Sequence, residues 1–349
     1  MAAPPTGFGN RHRSPAPTAR TARAGAATSP RPRPRSAVLA LALALVGSLA
    51  LAGSSSADGS ADTAALRSPS PYTGESALPA PVLALKVDNS ARARPHVGLE
   101  RADMVYVEKV EAGMSRLMAV YASEQAPVAG PVRSARESDL ELLRQFGRPA
   151  LAYSGVQKKL QPHIERAPLY PVPQEKNRDA YFRDQDRPSP HNLFMESEKV
   201  LALAPRASLS RDIGLRFGPA PAGGRPARQA SVSYDAAKTS FEWSSKQRRW
   251  LASFDGEPAM SASGARLGGR TVVIQRVTMR DSDFGDSTGA ITPYIETVGE
   301  GTATVLRNGR AYETRWKRAT PQSGTVYRLA DGSRMPFATG QTWVVYADR

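Results

Sequence analysis

The sequence of 349 residues contains no cysteine. Disulfide bonds, thiolate nucleophiles and cysteine-ligated metals are therefore excluded from its chemistry. It contains only four histidines, at positions 12, 96, 163 and 191, which argues against a histidine-rich zinc site.

Positive charge is unevenly distributed along the chain. The formal net charge is +15, and residues 1–36 hold seven arginines and no acidic residue, which leaves +8 for the rest. Much of the basicity thus belongs to a Pro-, Ala- and Arg-rich segment whose composition predicts disorder. Because the remaining body is only mildly basic, we expect anionic partners but no nucleic acid.

A short apolar segment follows the basic region and resembles a signal peptide. Residues 37–53 are rich in Leu and Ala, follow arginines at 31, 33 and 35, and end in small residues. The segment is shorter than the about 20 residues of a stable membrane span. Its lipoprotein-type cleavage box has Ser54 where the lipid-bearing cysteine would stand, so we expect no lipid. The predicted location is extracytoplasmic, either secreted or anchored to the cytoplasmic membrane by an uncleaved segment, with residues 54–77 as a linker.

Two folded regions of different character follow this linker. Residues 78–204 alternate strand-like and helix-like segments, including a helical segment at 156–160, and this predicts an α/β layered domain. Residues 205–230 are rich in Pro, Arg, Ala and Gly and are interpreted as a second linker. Residues 231–349 hold short alternating segments and turn signals such as Asn308-Gly309, which predict a mostly β domain. The expected fold class is therefore α+β, with an N-terminal α/β domain and a C-terminal β domain.

The block Gly130-Pro131-Val132-Arg133-Ser134-Ala135-Arg136-Glu137 carries the strongest functional signal. Ser134 and Glu137 have the spacing of a capping box, and apolar residues at helical spacing follow them. The start of a helix presents free N–H groups and the positive end of the helix dipole. With Arg133 and Arg136 on either side, the block predicts an anion-binding site at a helix N-terminus.

Further residues are expected near the same site. Arg116 would complete a basic pocket if its side of a predicted hairpin faces the block. Asp88 and Asn89 end a predicted strand, where they form an Asx turn or contribute to a cation site. His191 is a candidate general base or hydrogen-bond donor with Asn192 to orient it, and the alternative is a rigid turn. The sequence offers no metal-binding motif, and we predict no metal site.

The arginines also have a purely structural interpretation. Arg133 and Arg136 would then pair with Asp88, Asp103 or Glu108 and hold the domain together, because ion-pair networks also cluster arginines. The residues alone favour neither interpretation.

Ordered motifs in both folded regions resemble the YerB-like family of bacterial envelope lipoproteins. The matching segments are, in order, Lys86-Val87-Asp88-Asn89, Arg94-Pro95 with Gly98-Leu99, Ala102-Asp103-Met104-Val105-Tyr106-Val107-Glu108, Gly113 with Arg116, residues 130–136, Phe182-Arg183-Asp184, Pro190-His191-Asn192, Trp316-Lys317 and Gly340-Gln341-Thr342-Trp343. The resemblance covers residues 78–347 and implies a two-domain envelope protein without an assigned activity. Members of the family are commonly lipidated, and this chain differs from them because it has no cysteine to carry the lipid.

Three functional hypotheses follow. The first, which we prefer, is a binding protein without a cofactor for an anionic envelope component, a glycan phosphate or a lipid phosphate, with an envelope protein as a further partner. The second is an enzyme for phosphoryl or glycan-phosphate transfer in cell-wall assembly, which would use Mg²⁺ held by carboxylates. The third is a structural scaffold with no ligand.

Overall fold

The computed structural model of the protein describes residues 67–285 and 289–349. The predicted basic region, the predicted signal or anchor segment and residues 54–66 of the first predicted linker lie outside the described residues. No helix within the described ranges is long and apolar enough to cross a membrane.

Short strands make up most of the described chain. Those of the N-terminal region are β1 (Ser68–Pro69), β2 (Ser76–Ala77), β3 (Leu83–Asp88), β4 (Met104–Lys109), β5 (Ser115–Tyr121), β6 (Val128–Ala129), β7 (Ala150–Tyr153), β8 (Tyr170–Pro173), β9 (Tyr181–Arg183) and β10 (Leu193–Glu196). They continue with β11 (Arg225–Pro226), β12 (Gln229–Tyr234), β13 (Ala237–Ser244), β14 (Arg249–Phe254), β15 (Glu257–Pro258), β16 (Gly268–Gly269) and β17 (Thr271–Val277). The last are β18 (Met279–Gly285), β19 (Ile291–Ile295), β20 (Gly299–Arg307), β21 (Arg310–Arg318), β22 (Val326–Arg328) and β23 (Thr342–Asp348). The fold is therefore mostly β.

The largest sheet in the described part of the chain joins the two sequence regions. It has eleven strands in the order β11-β21-β20-β17-β23-β4-β5-β3-β7-β8, with β22 paired to β21. The junction is the parallel pair of β23 with β4, in which Thr342 lies opposite Met104. The two regions that the sequence distinguishes therefore share one hydrogen-bonded sheet.

The described residues also form smaller sheets. Strands β12-β13-β14-β15, with β16 on β14, form one sheet, and β6-β10-β9 form another.

The Asn308-Gly309 turn joins β20 to β21 as the sequence predicts. Both turn residues have positive φ, 50° and 70°, as the favoured two-residue hairpin requires.

The helices in the described ranges are short: α1 (Glu137–Leu143), α2 (Gln161–Arg166) and α3 (Ser197–Ala202). With helices of at most seven residues, the predicted α/β layered character of the N-terminal region is not clearly present. The helical segment predicted at 156–160 is wrong, because the helix begins at Gln161. Pro162 lies in the first turn of this helix, which does not need its missing N–H.

The predicted capping box of Ser134 and Glu137 is also wrong. Helix α1 begins at Glu137 after Arg136, and the Asp139 carboxylate accepts the backbone N–H of Arg136 at 2.7 Å. Arg136 and Asp139 have the same spacing as Ser134 and Glu137, and it is this later pair that caps the helix. Ser134 lies before the helix, with its Oγ 3.4 Å from Ser154 Oγ.

Strands β3, β4 and β5 form the centre of the large sheet and are buried on both faces. On β3, Leu83, Leu85 and Val87 contribute to the hydrophobic core of one face. The alternation of a strand places Lys86 and Asp88 on the other face, where both are also buried. Charged groups inside a sheet need specific partners, and these partners form the candidate site.

Candidate functional site

Three neighbouring strands bring charged side chains into one row across the sheet. Strand β5 lies between β3 and β4, so that Arg116 lies opposite Asp88 on one side and opposite Glu108 on the other. Residues directly opposite each other on antiparallel strands project from the same face. Arg116 is therefore placed between two acidic residues on the face that carries Lys86.

A cavity of about 280 Å³ opens beside this row. Five of the residues that the sequence singles out line it: Asp88, Asn89, Arg116, Arg133 and His191. The C-terminal region also contributes to its lining through Ala236, Ala237 and Asp255. The cavity thus lies where the two sequence regions meet.

The Asp88 carboxylate holds the imidazole of His191. His191 Nδ1 lies 2.8 Å from Asp88 Oδ2 and 3.0 Å from Ser90 Oγ, and the Ser90 backbone N–H donates to Asp88 Oδ1 at 3.0 Å. Because an ionised carboxylate only accepts hydrogen bonds, we assign the His191 proton to Nδ1, which leaves Nε2 of the neutral ring as an acceptor. The Asx turn predicted at Asp88 is present, and the same carboxylate orients His191.

The ionised form of Asp88 is favoured in this arrangement. Burial raises the pKa of Asp88. The hydrogen bonds from Ser90 and His191 and the charge of Arg133 lower this pKa by a larger amount. The net pKa lies below the usual value of an aspartate. Arg133 Nε lies 3.5 Å from Asp88 Oδ2, and the Arg133 side chain is 28% exposed, so this ion pair is loose.

Arg116 is a buried cation, and its nearest carboxylate in residues 67–285 and 289–349 is 4.0 Å away. Its Nη1 donates to the carbonyl of Ser134 at 3.1 Å, and its Nη2 lies 4.0 Å from Glu111 Oε2. Burial and the charges of Arg136 and Arg133 lower the pKa of Arg116 to about 9, against the opposing effect of Glu111 and Asp88. Arg116 stays charged at neutral pH, and an anion in the cavity would offset this unfavourable environment.

Arg136 does not line the cavity and forms a buried ion pair. Its Nε donates to Glu111 Oε1 and its Nη2 donates to Glu111 Oε2 at 2.9 Å, a bidentate geometry. The pKa of Glu111 is lowered overall: burial raises it, but Arg136 outweighs burial. The sequence analysis does not single out Glu111.

Ser134 and Asn192 also lie outside the cavity lining. The carbonyl of Ser134 accepts hydrogen bonds from Arg116 and Arg136. Asn192 Nδ2 donates to the Asp184 carbonyl at 3.0 Å, and its Oδ1 accepts from Arg183 Nη1 at 2.8 Å. In the structure Asn192 therefore supports the loop that carries His191.

The acids near the block do not gather into a cation site. Asp103 accepts the backbone N–H groups of Ala122 and Ser123, and Glu108 contacts Lys86. Among the residues that the structure describes, no group of three or more His, Asp or Glu side chains is arranged to hold a metal ion.

Comparison with known proteins adds family evidence to this geometry. The model "Protein of unknown function (DUF3048) N-terminal domain" matches residues 70–210, and the model of the DUF3048 C-terminal domain matches residues 230–344. The chain is 25% identical over 277 residues to the Bacillus subtilis protein named "Putative lipoprotein YerB", a match that covers 75% of this chain and 80% of that protein.

The fold agrees with the same relative. The crystal structure of YerB from Bacillus subtilis superposes with a TM-score of 0.68 at 20% identity and covers 80% of this chain and 96% of that one. The two domain models match in the order that the sequence motifs indicate, and together they span most of the described residues. The chain therefore belongs to the two-domain, YerB-like DUF3048 family.

Proposed function

We propose that the protein binds an anionic, phosphate-bearing component of the cell envelope in the cavity lined by Arg116 and Arg133. The observation that carries the proposal is the buried guanidinium of Arg116, whose nearest carboxylate among the described residues, that of Glu111, is 4.0 Å away. Around it, the guanidinium groups of Arg116, Arg133 and Arg136 share the carboxylates of Asp88 and Glu111, because the Glu108 carboxylate contacts Lys86 instead. One guanidinium charge is therefore left without an ion-pair partner of its own in the described part of the chain. An oxyanion would compensate that charge and accept hydrogen bonds from the guanidinium groups.

The binding site in this proposal differs from the helix N-terminus that the sequence suggests. Asp139 already accepts the backbone N–H of Arg136 at the start of α1, and this helix has only seven residues. Side chains on β5 and in the loop before α1 supply the positive charge instead. The extracytoplasmic location of the ligand rests on the signal-like segment 37–53 and on the lipoprotein name of YerB.

Calorimetric titration tests the proposal directly. We expect the protein to bind a sugar 1-phosphate or a short-chain polyprenyl phosphate, and the preferred probe distinguishes a glycan from a lipid source. Arg133→Gln removes one charge-assisted contact worth about 1.5–3 kcal/mol, so binding should weaken roughly 10-fold to 100-fold. Arg206→Gln, an exposed arginine outside the cavity lining, is the matched control and should bind as the wild type does. Equal affinity of the Arg133→Gln variant and the wild type would contradict the proposal.

The Asp88–His191 pair favours a second candidate, phosphoryl or glycan-phosphate transfer. An imidazole fixed by a carboxylate is a suitable general base when its free nitrogen reaches a substrate hydroxyl. The described residues show no acidic group arranged for Mg²⁺, so no step is assigned to a metal. Turnover that His191→Gln abolishes while leaving binding of the phosphate probe intact would support this candidate over a binding protein.

A further inference from the structure

A second group of ionisable side chains lies on the same face of the sheet but does not line the cavity. It consists of Lys86 on β3, Glu108 on β4 and Asp139 on α1, and we call it the Lys86 cluster. Lys86 Nζ contacts the Glu108 carboxylate and lies 2.6 Å from Asp139 Oδ1. The exposed fractions are 0%, 2% and 0%, so all three side chains are withdrawn from water.

The charges of the Lys86 cluster are costly to bury. One ammonium beside two carboxylates leaves a net negative charge in the interior, and desolvation of each ion costs several kcal/mol. Burial raises the pKa of Glu108 above its usual range, and Asp139 raises it further, against the opposing effect of Lys86. Glu108 is therefore suited to carry a proton, and its Oε1 is buried without a hydrogen-bond partner among the described residues.

The Asp139 carboxyl group is positioned as an electrophile. Its Oδ2 accepts the backbone N–H of Arg136 at 2.7 Å, and its Oδ1 faces Lys86 Nζ. A backbone N–H fixed in this way would stabilise negative charge on Oδ2 if the carbonyl carbon were attacked. The amine, the carboxyl group and a proton carrier are thus in contact before any reaction.

Two buried side chains of mostly apolar character border the cluster, and Arg116 lies opposite Glu108. Met118 lies opposite Lys86 on β5, Tyr106 lies opposite Met118 on β4, and both side chains are buried. An environment without water strengthens interactions among the reacting groups and keeps out a competing nucleophile.

We propose that Lys86 and Asp139 condense to an intramolecular isopeptide bond, with Glu108 as the proton carrier. Proton transfer within the cluster gives a neutral Lys86 amine and a protonated Asp139 carboxyl group. The amine lone pair attacks Asp139 Cγ, the C–N bond forms, and the resulting oxyanion on Oδ2 is held by the Arg136 N–H. Protonated Glu108 gives its proton to the hydroxyl oxygen Oδ1, whose bond to Cγ breaks and which leaves as water. Glu108 then takes up a proton from nitrogen while the C=O bond to Oδ2 re-forms. Glu108 ends protonated as it began, and no oxidant or reductant is needed.

Such a bond would explain two features of the chain. It would replace two buried charges with one neutral amide, and it would link β3 to α1 across 53 residues in a protein that has no cysteine for disulfide bonds. The proposal does not depend on ligand binding in the cavity, so either can fail alone.

Peptide mapping by mass spectrometry of the purified full chain tests the bond. We expect the peptides that contain Lys86 and Asp139 to be recovered as one linked species, lighter than their sum by one water molecule. Recovery of the two wild-type peptides as separate species of full mass would overturn the proposal, and this measurement does not depend on the folding of any variant.

Variants assign the roles within the cluster. Asp139→Asn should form a linked species of the same mass as the wild type, because ammonia leaves in place of water. Glu108→Gln should leave the peptides unlinked, and a linked Glu108→Gln variant would overturn the role of Glu108. Asp103→Asn, a buried carboxylate outside the cluster, is the matched control and should retain the link.

Discussion

Replacement of Arg116 by methionine should stabilise the ligand-free protein while abolishing anion binding. The Arg116 guanidinium is buried, lies 4.0 Å from Glu111 and is close to the charges of Arg136 and Arg133. A binding site retains such a group because the ligand supplies its partner. Proteins are commonly stabilised by substitutions that remove binding groups of this kind.

The magnitude follows from two opposing effects. The pKa of Arg116 is lowered to about 9. This change amounts to roughly 5 kcal/mol against the charged form, at about 1.4 kcal/mol for each pKa unit. Methionine fills a similar volume, but it leaves the Ser134 carbonyl without the hydrogen bond of 3.1 Å, at a cost of about 1–3 kcal/mol. The difference between the two effects predicts that the free energy of unfolding of Arg116→Met rises by about 2–4 kcal/mol.

The assay is urea unfolding of protein that has been refolded to remove any retained ligand. The matched control is Arg318→Met, because Arg318 is also buried but donates to the carbonyls of Ser323, Glu141 and Pro321 and to Thr297 Oγ1. The free energy of unfolding of Arg318→Met should fall by about 3–5 kcal/mol, because the substitution leaves these buried acceptors without their donor. A loss of stability in Arg116→Met as large as that in the control would refute the binding account and support a structural role.

Two further predictions concern the partners of the arginines. Glu111→Gln should lower the free energy of unfolding by about 3–5 kcal/mol in urea, because it leaves Arg136 buried without its bidentate partner, and a loss below about 1 kcal/mol would contradict this. Because the pKa of Asp88 is lowered on folding, Asp88 contributes stability above its ordinary pKa of 3.8 that is lost as the pH falls through its folded value. The difference in unfolding free energy between the wild type and Asp88→Asn should therefore be largest near neutral pH and shrink in acid; a constant difference would argue against the pair with His191.

Local patterns in the sequence predicted part of the fold. The Asn308-Gly309 turn and its two flanking strands were readable because strand alternation and turn chemistry are local. The parallel pair of β23 with β4 was not readable, because it joins residues more than 200 positions apart and has no connecting turn. The start of α1 was misplaced because Arg136–Asp139 and Ser134–Glu137 offer the same capping pattern in overlapping positions.

The sequence predicted part of the candidate site as well. Asp88 ends a strand and Arg133 precedes a helix, so both are marked by local pattern, and the structure places both at the cavity. Glu111 and Asp139 were missed as partners because each pairs with a residue on another element, and neither spacing along the chain nor hydrophobic periodicity encodes that contact. The buried Lys86 was visible only as an interruption in an otherwise apolar strand.

The most direct test of the central claim is native mass spectrometry of the protein purified gently from membranes of the producing cell. The account predicts a retained phosphate-bearing glycan or lipid on the wild type, absent from the folded Arg116→Met variant and present on the folded Arg206→Gln variant. A wild-type protein that carries no ligand and binds none of the phosphate probes, or an Arg116→Met variant that retains the ligand, would contradict it.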